Sequence, residues 1–218
     1  AARWLADRGA ECVAGDLSST ATLAEAVRGC RAVIHCAALA FDWGSWEAFQ
    51  AANSIGVANL LRACSGTSLD RFVHVSTVDV YGYPDRDGLD ESTPYRDRGF
   101  PYNSTKIAGE KVVWDAINAG FPGVIIRPGS IYGPRSMTFG VEIVEAIRAG
   151  APLIRGGNMN AGLAYVANVV ALTLLALEHP AASGQVFHGL DDDGHTWRDY
   201  FAAVCGGLDL AMPKRSLP

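Results

Sequence analysis

Short apolar runs rich in β-branched residues alternate along this chain with stretches whose apolar positions recur every three to four residues. The first kind predicts strands at 31–36 (RAVIHC), 71–76 (RFVHVS) and 123–127 (GVIIR), with shorter candidates at 11–14 and 185–188. The second predicts helices at 20–28, 46–63, 102–119, 141–149, 166–178 and 196–205. Ser19 or Thr20 suits the first N-cap, and Gly29 and Gly120 close two of the helices. Residues 1–9 read as the end of a helix closed by Gly9. The three main strands lack polar alternation, so both their faces should be buried. Strand–helix alternation of this kind implies an α/β fold with a parallel sheet and helices on both faces.

Ligands of such sheets bind beyond the carboxyl ends of the strands. Here those ends read Gly15-Asp16-Leu17, Ala37-Ala38, Ser76-Thr77 and Pro128-Gly129-Ser130. All are small or polar, which suits a crevice lining and also suits plain turns. A long loop from 81 to 101, with three prolines, reads as functional or mobile.

Length and composition narrow the possibilities. At 218 residues the chain makes one domain, or one domain with a small lobe; 49% hydrophobic and 19% charged residues make it globular. A net charge of −5 without a basic cluster argues against nucleic-acid binding. The apolar run 163–177 is 15 residues long and broken by Asn168 and Thr173, so it reads as a core helix and not a membrane span. The five cysteines are odd in number and widely spaced, which reads as reduced, mostly buried thiols of a cytoplasmic protein. No metal-ligand spacing is present. His35 and His74, on strands, read as satisfied core residues; Asp191-Asp192-Asp193 reads as a solvated turn. The absence of a G-x-S-x-G elbow excludes the common serine-hydrolase arrangement.

The chemistry concentrates in Tyr102-Asn103-Ser104-Thr105-Lys106. On a helix, positions i and i+4 share a face, so phenol and ammonium are neighbours. A cation there favours the phenolate and draws the tyrosine pKa down toward neutrality, which suits proton exchange with an alcohol or ketone. Ser76 and Thr77, at a strand end, can hydrogen-bond the same substrate oxygen or simply cap the strand.

Taken in order, these segments resemble the extended short-chain dehydrogenases/reductases, the NAD-dependent epimerase/dehydratase superfamily. The matches are Gly15-Asp16-Leu17, Val33 to Ala38, Asn53 with Gly56 and Asn59-Leu60-Leu61, Val75-Ser76-Thr77 with Val80-Tyr81-Gly82, Asp90 to Pro94, Tyr102 to Lys106, and Arg127 to Pro134. The resemblance implies a partial Rossmann domain over 1–135 and a partial substrate-binding lobe over 136–218. It implies NAD or NADP as cofactor and a small-molecule substrate. Tyr102 would be the general acid/base, Lys106 its cationic partner and the holder of the nicotinamide ribose, and Thr77, with Ser76 beside it, the hydroxyl partner. Asp16 and Leu17 would border the adenine, Ala37 and Ala38 the phosphate–ribose side, and Pro128 and Ser130 the nicotinamide. Asn53 would brace the cofactor strand or the active-site loop. The helices 46–63 and 102–119 resemble the pair that forms a dimer bundle in this family, which implies a homodimer.

The sequence departs from the family in two places. The G-x-x-G-x-x-G turn that cradles pyrophosphate is missing. A strand–helix–strand unit bearing it is expected upstream of Ala1. Without it this chain would bind dinucleotide weakly, and the choice between NAD and NADP is not legible. The second departure concerns substrate. Sugar-nucleotide members place Asn at the position of Ser130 and Arg-Asp near Ala161-Gly162, and neither is present. The expected function is therefore alcohol–ketone interconversion on a small or steroid-like substrate, nearest the 3β-hydroxysteroid dehydrogenase-like branch. A sugar-nucleotide epimerase or dehydratase, and a non-catalytic fragment that keeps the fold, are the alternatives.

Overall fold

A computed structural model of the chain describes residues 2–41, 43–82, 88–191 and 194–218. Its centre is a four-stranded parallel sheet of β1 (Ala32–His35), β2 (Arg71–Val75), β3 (Gly123–Pro128) and β7 (Val186–Gly189), in the order β1-β2-β3-β7. The three main runs expected to be strands thus lie side by side and parallel, with Ile34 opposite Val73 and His74 opposite Ile125. β2 and β3 are buried almost throughout, as their unbroken apolar runs require. β1 differs from expectation. It pairs only with β2 among the described strands, and Ile34 remains 42% exposed. Residues 11–14 form no strand, because no ladder partner reaches them among the described residues.

Helices cover both faces. On one side lie α2 (Thr20–Ala26), a long helix and α5 (Pro101–Asn118). The long helix is three pieces, α3 (Trp46–Gln50), a π-helical turn (Ala51–Ile55) and α4 (Gly56–Cys64). Ser19 and Ser45 cap α2 and α3 through their hydroxyls. Leu60, Leu61, Phe72, Val113 and Ile125 form the core on this side. Gly109 of α5 fits where it does because a Cβ there would run into the Asn53 carbonyl of the π turn. The two helices therefore meet at backbone contact, close to the strand ends.

On the other face α7 (Val166–Glu178) packs against Val73, Val124 and Ile126. The helix begins at Val166, as expected, but the first residues of the apolar run 163–177, Leu163–Tyr165, form a strand, β6. β6 pairs with β4 (Ser130–Tyr132), and β5 (Leu153–Ile154) with β8 (Ser216–Leu217). These strands of two or three residues are too short to leave a periodic signal in the sequence. A second π turn (Met137–Glu142) leads into α6 (Ile143–Arg148), and α8 (Trp197–Leu208) carries the capping box of Thr196 and Asp199. Tyr132, Tyr165, Trp197 and Tyr200 pack ring against ring beneath β4.

Among the described residues no helix is long and apolar enough to cross a membrane. Two cysteines, Cys64 and Cys205, are buried, whereas Cys12 and Cys36 are exposed, so "mostly buried" does not hold for the thiols. In the acidic run, Asp191 accepts from the Tyr165 N–H and the Asn168 amide, tying the end of β6 to the loop after β7; Asp192 and Asp193 lie outside the described residues. So do residues 83–87 of the long loop. The rest of that loop is anchored: Asn103 of α5 accepts from the Arg98 N–H at 2.8 Å and donates to the Asp79 carbonyl at 2.6 Å.

Candidate active site

The carboxyl ends of β1, β2 and β3 open into a cavity of about 770 Å³. Its lining brings together Ala38, Ser76, Thr77, Tyr102, Lys106, Pro128 and Ser130, seven residues singled out by the sequence. Three others stand outside it. Asp16 is exposed and its carboxylate takes up the Ser18 N–H; Leu17 packs on Gly56, with its carbonyl held by Asn59. Ala37 is exposed and is not among the lining residues.

Asn53 sits behind the cavity, not in it. Its carbonyl oxygen accepts from the Leu39 N–H at 2.8 Å, and its amide donates to the Leu39 carbonyl at 3.0 Å and to Thr105 Oγ1 at 3.2 Å. A buried amide with both donors and one acceptor site so occupied is committed to the protein, not to the cavity. It locks the loop after β1 to α5. The π turn that carries it is the kind of helix irregularity that recurs at functional sites.

The start of α5 is set by Phe100 in extended conformation and Pro101 at the first helical position, which places Tyr102 and Lys106 one turn apart on the sheet side. Lys106 is 3% exposed and its ammonium donates to the Val75 carbonyl at 2.9 Å. Burial draws its pKa down to about 8 against the opposing pull of Glu110. Tyr102 behaves otherwise than the i, i+4 argument expects. Burial and the nearby Asp79 push its phenol up to about 12, while a hydrogen bond with Thr77 pulls it down. Lys106 is not among the groups that shift the phenol, which lies in a poorly solvated pocket, so desolvation sets the direction. In this state Tyr102 is a proton donor near neutral pH. Of the two strand-end hydroxyls, Thr77 Oγ1 accepts from the Asp79 N–H at 3.1 Å and stands near the phenol, whereas buried Ser76 Oγ has no partner in the structure.

The residues fit a nicotinamide ribose at this end of the cavity. An ammonium has three donors, and one of Lys106's is committed to Val75. Ser76 offers an unpaired buried hydroxyl. Ser130 lines the wall, but its own hydroxyl is bonded to the Ala161 carbonyl at 2.8 Å, so it offers shape more than a donor. Gly129 lets that wall pass the Gly162 carbonyl, where a Cβ would collide.

Below the site the sheet register sets His35 beside His74, with ring centroids 5.3 Å apart. Both are buried, and His35 Nε2 and both His74 nitrogens lack partners, so they are not the satisfied core histidines expected. Burial, aided by the charge of Lys106, draws His35 down to about 4 and His74 well below the usual value. Both are therefore neutral in the folded chain and take up protons on unfolding below about pH 6.5. Folding stability from this source is present above pH 6.5 and is lost as pH falls toward 4. Denaturant titrations should show a loss of roughly 2 kcal/mol from pH 7 to pH 5 for His35 alone, relieved in His35→Leu. A flat profile between those pH values would dismiss the pair as a source of acid sensitivity.

Several positioning residues were not singled out by the sequence: Asn103, Thr105 and Glu110 on α5, and Arg127 on β3. The signal was present as polar residues on the inward stripe of α5, at 103, 106 and 110, where an amphipathic helix should be apolar.

A family model described as "NAD dependent epimerase/dehydratase family" matches residues 1–188. A 4-hydroxy-2-methyl-3-oxo-4-farnesyl-3,4-dihydroquinoline-1-oxide ketoreductase of Stigmatella aurantiaca is 34% identical over 186 residues, covering 82% of this chain and 54% of that protein. A decarboxylating sterol-4-alpha-carboxylate 3-dehydrogenase of Bos taurus is 29% identical over 215 residues, covering 94% and 60%. Among solved structures, UDP-glucuronic acid 4-epimerase from Bacillus cereus in complex with NAD aligns with a TM-score of 0.82 at 25% identity, covering 93% of this chain and 67% of that one. The chain thus spans a little over half the length of these curated relatives, 54% and 60%.

Proposed function

We propose a reaction for a chain that belongs to the NAD-dependent epimerase/dehydratase family: the NAD(P)-dependent interconversion of an alcohol and a ketone on a small or steroid-like substrate. The observation that carries it is the meeting of Thr77, Tyr102 and Lys106 on the wall of one cavity at the strand ends. Tyr102 donates its proton to a ketone oxygen and recovers it in the reverse direction. Thr77 orients the phenol and shares the substrate oxygen. Lys106 and Ser76 would hold the ribose of the cofactor, with Pro128 and Ser130 shaping the nicotinamide side. The bound nicotinamide supplies or accepts the hydride. Ser76 is a holder in this reading, and Asn53 keeps the loop and α5 in register.

Two relatives named as a ketoreductase and a sterol dehydrogenase support the redox reading. The division of labour would place catalysis in 1–135 and substrate selection in 136–218. The helices 46–63 and 102–119 would serve as a homodimer face, and the five free thiols suit a reducing, cytoplasmic setting. The test is consumption of NADH or NADPH on addition of ketones; no turnover with any ketone would sink it.

The structural likeness to a UDP-sugar enzyme raises a second reading. A diphosphate needs charge-assisted donors, and Lys106 is the one cation among the described lining residues. Calorimetry with UDP-glucose should therefore show no saturable binding. Submicromolar binding, or C4 epimerisation of the sugar, would restore the epimerase reading.

A further inference from the structure

Four large apolar side chains stand nearly bare around the cavity that Tyr102 and Lys106 line: Trp43 is 88% exposed, Phe41 69%, Met137 60% and Phe100 58%. Single exposed apolar residues are ordinary; several converging on one concave site mark an interaction surface. They come from three segments of the chain: the loop after β1, the residue before α5, and the second π turn.

Each segment has an anchor close by in the chain. Leu39, two residues before Phe41, has its N–H and carbonyl both bound by Asn53. Phe100 is the N-cap residue of α5. The π turn that starts at Met137 is held through Phe139, whose ring stacks on Trp197 at 5.9 Å and whose carbonyl accepts from the Tyr200 hydroxyl. Apolar side chains close to such anchors present area to a ligand at a reduced ordering cost. Charge is sparse: among the described lining residues only Lys106 and Asp79 carry it, and Lys106 is buried.

From this arrangement we propose that Phe41, Trp43, Phe100 and Met137 form an apolar clamp that selects the substrate by gripping the neutral ring system or alkyl chain attached to its reacting carbonyl. The inference rests on the oxidoreductase reading, which puts that carbonyl at Tyr102, and adds which part of the substrate is selected and by which residues. The occupant is a ligand and not another macromolecule because the apolar rim is continuous with the catalytic residues in one cavity.

The experiment is a series of methyl ketones of increasing chain length, titrated calorimetrically into the chain with NADPH present and, in parallel, assayed for reduction. With the clamp, affinity rises by about fourfold for each added methylene that is buried. In Phe41→Ser, Trp43→Ser and the double variant the loss grades with length, from a few-fold for the shortest ketone to at least about 30-fold for the longest. The loss should appear in KM more than in kcat, because the proton-transfer residues are untouched. A far-ultraviolet spectrum and a cooperative melt establish that each variant is folded, and Met137→Ser provides a second, independent wall. Equal slopes in native and variant chains overturn the clamp, as does a flat slope in the native chain. If Trp43→Ser abolishes self-association and leaves the slope intact, the rim is a face between copies and the clamp is wrong. If no ketone of any length is bound or reduced, the oxidoreductase reading itself falls. Turnover of short ketones with no length dependence removes only the clamp.

Discussion

Tyr102→Phe will cut ketone reduction by about 10²–10⁴-fold, the usual contribution of a positioned general acid, without lowering the melting temperature appreciably. One hydroxyl is removed, and the neighbouring Thr77 Oγ1 keeps the Asp79 N–H as a partner. Lys106→Met should lower both turnover and cofactor affinity. It deletes a ribose donor, and it breaks the bond that ties α5 to the Val75 carbonyl at the end of β2. Thr77→Ala should be milder than the tyrosine change, and Ser76→Ala/Thr77→Ala worse than either single change. The direction of reaction adds a pH signature. Reduction uses the phenol, which burial preserves, so it should vary little across neutral pH. Alcohol oxidation uses the phenolate and should climb with pH toward the alkaline range. Stopped turnover assays in both directions give the comparison. Near-native activity in Tyr102→Phe would reduce residues 102–106 to one turn of a helix.

The sequence made the sheet legible because β2 and β3 are buried on both faces, which leaves unbroken runs such as Gly123 to Arg127 that no amphipathic helix would carry. It overstated β1, whose apolar run looks alike although Ile34 is half-exposed at the sheet edge. Pattern reports the residue type and not the neighbour. The Tyr102–Lys106 pair was legible from spacing, yet its electrostatics were not. The i, i+4 argument foresees a nearby cation and cannot foresee that the cation donates to a strand carbonyl 31 positions earlier in the chain. Asn53 was legible as a brace, and its partners at Leu39 and Thr105 emerge only when α3 and α5 are packed together. Phe41 and Trp43 carried no signal, because nothing local marks them as lining the cavity. Glu110 and Arg127 lie 17 positions apart, and nothing in either segment announces that they pair.

That last pair carries the largest expected stability effect. Arg127 and Glu110 have side chains 3% and 0% exposed and meet through Nη2 and Oε2 at 2.7 Å, with Nε shared between both carboxylate oxygens. The remaining valences are filled: Arg127 Nη1 donates to the Tyr81 hydroxyl at 2.7 Å and to the Glu91 carbonyl at 3.1 Å, and the Tyr95 hydroxyl donates to Glu110. Beyond them Tyr81 meets His188 Nε2 at 2.6 Å. The network ties α5, β3 and β7 to the turn Val78–Tyr81 that follows Thr77. Removing one charge leaves the other buried without its counterion, which costs about 3–5 kcal/mol. Arg127→Met and Glu110→Leu should each lose that much in denaturant unfolding. The double variant should lose far less than the two added together, since an apolar pair of similar volume replaces two desolvated charges. It will not return to native stability, because the Tyr81 and Tyr95 hydroxyls and the Glu91 carbonyl lose partners, each worth about 1–3 kcal/mol when buried. Turnover should fall with it, through looser placement of Thr77 against Tyr102 and not through any change in the proton donor. The alkaline limb of alcohol oxidation should therefore keep its position while the rate drops. Strict additivity of the two single losses would mean that the ion pair contributes nothing as a unit, and a shifted alkaline limb would mean that Glu110 acts on the phenol itself.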